Sequence, residues 1–236
     1  MRLLPLSFAL SVFLLVSSHV PAAEPWDPIS AYRERQIEGW RVRVHQKLDC
    51  EDQRKLCDDT MKLLGDHLYR VSRVVPAEAL AKLRQVPIWV ELNHPKHKCM
   101  CYHPSPVWLR EHQMNPEKAG AVELANAATF LKWTREQPWM VLHELAHAYH
   151  HKVVGHDYKE LKECFQRAVA SKKYESALYF NGQHKRHYAL NNDREYFAEA
   201  SEAFFGTNDF YPFVRPELKE HDPDLHALLK KLWGEK

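Results

Sequence analysis

Beyond its first two dozen residues this chain has no apolar run long enough to cross a bilayer. It also has no internal repeat, no low-complexity tract and no excess of one charge. Lys and Arg number 33 against 31 Asp and Glu, for a formal net charge of +2. Nor does any basic run interleave with aromatics, so nothing suggests a nucleic-acid partner. What the chain does have in quantity is histidine, at 16 copies. That makes metal binding plausible and also raises the rate of accidental His motifs.

The N-terminus has the three parts of a secretory signal. Arg2 precedes an apolar run from Leu3 to Val16, and the small-residue stretch Val20-Pro21-Ala22-Ala23 follows. The expected signal peptide is 1–22, cut after Ala22 or one residue later, with an uncleaved anchor as the alternative. Cleavage removes Arg2 and leaves a net charge of +1. The remainder, 24–236, is long enough for one core or for two lobes around a cleft. The expected location is secreted or periplasmic, without stable membrane association once the signal is removed.

Export implies an oxidising compartment in which the five cysteines can pair. Cys50 and Cys57 fall on one predicted helix, two turns and roughly 10 Å apart, too far for a mutual bridge. The Cys99-Met100-Cys101 loop is therefore expected to be stapled to that helix, in undetermined order, with Cys164 left over. A metal site at Cys99 and Cys101 with His97 or His103 is the alternative. Its spacing matches no standard zinc pattern.

Hydrophobic periodicity outlines the elements. Residues 24–39 read as an irregular lead-in. Trp40, Val42 and Val44 alternate as a strand, and Asp49 caps a long helix reaching about Arg73. A short helix covers Ala77 to Arg84, Val86 to Leu92 alternate as a strand, and residues 93–106 form a loop. Val122 to Phe130 is ambiguous between strand and helix. A helix runs from Trp139 to Val154, stopped by Gly155, and Asp157 caps the next. A hairpin is expected at 177–190 around Asn181-Gly182. Asn192 or Asp193 caps a helix ending at Gly206, and Pro223 to Trp233 forms a last one. The class is α+β: a small mixed-sheet lobe over roughly 40–155 and a mainly helical lobe over 156–236, with the central helix between them.

That central helix carries His143-Glu144-Leu145-Ala146-His147. Positions i and i+4 share a helix face, so two imidazoles can reach one zinc ion, and Glu144 can reach a water there. The uncharged flanks from Met140 to Tyr149 suit a buried helix. A catalytic zinc needs a third protein ligand. A metzincin continuation requires Gly and His where His150 and Val153 stand, which excludes that class. Asp209, in Gly206-Thr207-Asn208-Asp209, fits an aspzincin pattern only in part. Glu195 and Glu199, one turn apart on a later helix, are better placed, although an acidic helix face in water is the plain alternative.

Residues Trp139 to Phe213 resemble the catalytic domain of the gluzincin peptidases of the anthrax lethal factor type. The resemblance rests on the HExxH helix, on Glu195-Tyr196-Phe197-Ala198-Glu199-Ala200 and on Tyr188 seven residues before Glu195. It implies a zincin-like fold and one Zn2+ ion on His143, His147 and Glu195, with Glu144 as general base and Tyr188 at the oxyanion. Glu199 is expected to accept from a ligand His ring N–H. Strand alternation would turn Tyr188 to the side of His184 and Arg186 and turn His187 away. The expected activity is hydrolysis of peptide or protein substrates by an exported zinc metallopeptidase. A silent zinc-binding or disulfide-stapled interaction domain is the alternative.

Overall fold

The computed structural model describes residues 24–235, so the expected signal at 1–22 lies outside the described residues. Trp40, Val42 and Val44 are fully buried while Arg41 and Arg43 turn away, so their strand forms one row of a half-buried sheet. The lead-in before it is not wholly irregular. Strand β1 (Tyr32–Ile37) pairs antiparallel with β2 (Trp40–His45) across Glu38-Gly39, both at positive φ. As an exposed, charged edge strand β1 has almost no apolar alternation to read, and the turn was its only local signal.

Two helices, α1 (Arg54–Val74) and α2 (Ala77–Leu83), carry the chain to β3 (Ile88–Val90), parallel to β2. A 3-10 turn at Glu51–Gln53 precedes α1, so Cys50 lies before the helix and not on it. The loop expected at 93–106 contains β4 (Met100–Tyr102). Helix α3 (Pro106–Glu111), capped by the Ser105 side chain, leads to β5 (Val122–Leu124). The order is β1-β2-β3-β5-β4, with β3 and β5 parallel and β4 antiparallel at the far edge. The fold is mixed α+β. One sheet face carries Val42, Val44, Ile88, Val90, Val122 and Leu124 into the core.

Helix α4 (Ala127–Trp133), capped by Asn126, resolves the ambiguous segment. Helix α5 (Met140–Tyr149) packs against β4 and β5 and runs into a π turn at His150–Val154, ended by Gly155 at positive φ. Tyr158 is the N-cap of α6 (Lys159–Ser171). Asp157, expected as the cap, accepts from Lys162 instead. The hairpin is short: β6 (Ala177–Leu178) and β7 (His184–Lys185) pair, and a 3-10 turn at Tyr188–Asn191 replaces the rest of the expected strand. Helices α7 (Asp193–Phe205), α8 (Arg215–His221) and α9 (Pro223–Leu232) complete the chain. Among the described residues no helix is long and apolar enough to cross a membrane.

Two contacts fix α5 against α7. The Trp233 ring stacks on Tyr149 of α5 and lies parallel to Phe197 of α7, with its indole N–H donated to Ser201. At the other end Trp139, the N-cap of α5, lies where a Cβ on Gly206 would stand, 1.8 Å from the indole. Any side chain at Gly206 would push the start of α5 off the end of α7.

The five cysteines are all free, and the expected staple is not formed. Cys99 lies against the Met140 sulfur and Cys101 against His103, whereas Cys50 donates to the Lys47 carbonyl.

His67 on α1 is buried beside Phe130 and accepts at Nδ1 from Arg70. Burial, helped by the Arg70 charge, pushes its pKa down to about 4. Below the ordinary value of 6.5 the unfolded chain takes up a proton that the folded ring refuses. Stability should therefore fall between pH 6.5 and about 4, by up to about 3 kcal/mol from this residue. In denaturant unfolding across that range, His67→Phe should lose correspondingly less stability on acidification than the wild type.

Candidate metal centre

Helix α5 presents His143 and His147 one turn apart, with ring centroids 4.7 Å from each other. Asn192 caps α7, its side chain accepting from the backbone N–H groups of Arg194 and Glu195. That cap fixes the first turn of α7 so that Glu195 faces α5. The three side chains come together. His143 Nε2 is 3.1 Å from Glu195 Oε2 and 3.1 Å from His147 Nε2, and His147 Nε2 is 3.2 Å from Glu195 Oε2. A tetrahedral zinc with bonds of about 2.0–2.1 Å holds its ligand atoms roughly 3.3 Å apart, close to the edges of this triangle.

The electrostatics of the triangle favour a cation. His143 Nδ1 lies 2.7 Å from Glu202 Oε1. With its Nδ1–H donated to that carboxylate, the Nε2 lone pair faces Glu195 and the second imidazole. A carboxylate and two ring nitrogens at this spacing repel one another unless positive charge lies among them. Burial disfavours a charged His143 ring, yet the carboxylates of Glu195 and Glu202 outweigh it and hold its pKa well above the ordinary range. Burial alone would raise the Glu195 carboxyl, but His143 and His147 hold it far below the usual range. Protons or a metal can meet this demand. The two-nitrogen, one-oxygen donor set suits zinc.

Glu202 was not anticipated from the sequence. Glu199, expected in its role, has its Oε1 3.7 Å from His143 Nδ1, and its Oε2 is 3.7 Å from His187 Nδ1. Glu202 stands seven residues after Glu195, about two helical turns on and hence on the same face, and that spacing was the available signal. Burial, and for Glu199 the neighbouring Glu202, raises both carboxyls. Asp209, the other candidate ligand, lies outside the triangle. It accepts from Gln137, and burial beside Glu202 pushes it up to about 7.

Glu144 and Tyr188 line one cavity of about 450 Å³ with His143, Met100 and Tyr179. The Tyr188 ring is 6.5 Å from the His143 ring. Tyr188 reaches the cavity from a 3-10 turn and not from a strand, so the expected alternation with His184 and Arg186 does not apply. His187 caps that turn, its Nδ1 accepting from the Ala189 N–H. Burial pushes His187 down to about 3, which keeps it a neutral acceptor. Burial, reinforced by Glu195, raises the Tyr188 phenol and keeps it a donor. His150 is buried beside Phe197 and His156, away from the triangle.

Comparison of the chain with known protein families, with curated proteins and with solved structures finds no match.

Glu202 is the group that orients His143. Glu202→Ala should weaken zinc retention at the triangle about 10–100-fold in a chelator competition, while Glu195→Gln, which removes a donor charge, should weaken it further. Unchanged affinity in both variants would remove the triangle as a metal centre.

Proposed function

We propose that the chain is a metal-dependent hydrolase whose ion is held by His143, His147 and Glu195. More particularly, it is a zinc metallopeptidase of the gluzincin type, exported and acting on peptide or protein substrates. The observation that carries this reading is the convergence of three donor atoms within 3.2 Å of one another at the edge of an open cavity. The mixed sheet beside an HExxH helix, with an antiparallel edge strand, agrees with a zincin-like fold.

The surroundings suit an extended peptide. Among the described residues strand β4 pairs on one side only, so its other edge offers backbone groups for pairing. Met100 and Tyr102 share a face of β4. Met100 lines the 450 Å³ cavity, while Tyr102 lines a second of about 150 Å³ that reaches His147 and Glu195. A chain laid along β4 would thus pass the triangle with side chains in a cavity on either flank.

Zinc, when bound, supplies a Lewis acid that polarises the scissile carbonyl and acidifies water. Glu144, beside His143 in the cavity, takes the proton of the attacking water and returns it to the leaving amine. The Tyr188 hydroxyl donates to the oxygen on which negative charge develops. Glu202 keeps the proton of His143 on Nδ1, so that the Nε2 lone pair stays free to bind the ion.

Glu144→Gln should retain as much zinc as the wild type and lose turnover in a peptide-library cleavage assay. Tyr188→Phe should also retain zinc and lower kcat by about 10²–10³-fold. Cleavage at wild-type rate by Glu144→Gln would end the proposal.

A further inference from the structure

We infer that the protein has a second metal site, built from His97, Cys101, His103 and Glu123, that binds zinc and clamps the edge strand β4 to β5. One ligand atom from each of these four residues lies within 4.8 Å of the others. His103 Nε2 is 2.6 Å from Glu123 Oε2 and 3.5 Å from Cys101 Sγ, and the His97 and His103 rings meet edge to face at 5.3 Å. The His97 Nε2 atom is buried with no hydrogen-bond partner. Two imidazoles, a thiolate and a carboxylate make a closed four-ligand set for zinc.

The site is separate from the first. Cys101 and Glu123 are direct partners in the β4–β5 register, and Trp89 and Arg43 continue their row across the sheet. That row faces away from the apolar core face. Met100 and Tyr102, on the other face of β4, line the cavities beside the triangle.

Charge favours a divalent ion here. Lys118 is buried between Glu91 and Glu123, its ammonium 2.6 Å and 2.5 Å from their oxygens. Two carboxylates and one ammonium leave one negative charge. Metal binding removes the Cys101 proton and adds a second, so a divalent cation brings the cluster to neutrality. A three-residue strand is weakly held by its ladder alone. An ion joining His97, Cys101 and His103 on the β4 side to Glu123 on β5 would fix the strand from behind.

Cobalt titration of the full chain, with a phosphine reductant, tests this. Only the second site contains sulfur, so a thiolate-to-cobalt charge-transfer band reports on it alone. The wild type should bind two equivalents and show the band. Glu195→Gln should keep the band, Cys99→Ser should keep it, and Cys101→Ser should lose it together with one equivalent. Zinc should also slow amide exchange at Met100 to Tyr102 in Glu195→Gln but not in Cys101→Ser. Cobalt binding by the wild type without the band, or a band that survives Cys101→Ser, would overturn the second site and leave the first untouched. Loss of turnover in Glu144→Gln tests the first site separately.

Discussion

The structure is organised around the meeting of two imidazoles from α5 with carboxylates from α7. His143 is engaged at both ring nitrogens, Glu202 on one side and Glu195 on the other. Two more carboxylates, Glu199 and Asp209, stand close by in buried positions. So dense a negative cluster is costly in a low-dielectric interior unless protons or a cation balance it. Burial and mutual repulsion raise the pKa values of Glu199, Glu202 and Asp209, and the carboxylates of Glu195 and Glu202 raise that of His143, so protonation offsets the charge where no cation does. A bound divalent ion would replace some of them, which couples affinity for the ion to pH.

Holding those charges together requires rigid helices, and the packing supplies this at both ends of α5. Trp233 sits against Tyr149 and Phe197 at one end, while Trp139 fills the space that Gly206 leaves open at the other. Further out, Asp222 accepts from the Tyr174 and Tyr196 hydroxyls and caps α9 through Leu225. Tyr196 follows Glu195 directly, so this anchor acts on the first turn of α7. Apolar stacking and satisfied buried hydroxyls thus set the position of a carboxylate that burial alone would disfavour and that His143 and His147 keep charged.

Much of this was legible in the sequence where periodicity and capping agree. The helical stretch up to the Gly155 stop falls where its residues predict, although its last turn is π, and of the two caps expected for α7 the chain uses Asn192. His143 and His147 share a face because i, i+4 spacing is local, whereas Glu195 reaches them only through the packing of α7 on α5. What escaped was set by tertiary context. Strand β1 is too exposed and β4 too short to leave a pattern, and each exists because a neighbour supplies its hydrogen bonds. Tyr188 reaches the cavity by a different backbone from the one its alternation suggested, because the buried His187 imidazole caps a 3-10 turn there. Glu202 was overlooked because a Glu on a helix is usually a solvated one, and its burial depends on α5 lying across it. The expected disulfides assumed that Cys99 and Cys101 approach α1, whereas the β4–β5 pairing carries them to α5 and to Glu123.

That last displacement bears on how the cleft keeps its shape. Strand β4 borders both cavities yet pairs through only three residues. In the absence of a disulfide its position depends on what Cys101, His103 and Glu123 do on the opposite face. Lys118 ties Glu123 to Glu91, and Tyr32 of the far edge strand donates to Glu91 as well. A polar chain therefore runs behind the sheet from β1 to β4. Its cost in buried charge is borne away from the triangle, and its effect is to hold the edge strand that borders both cavities.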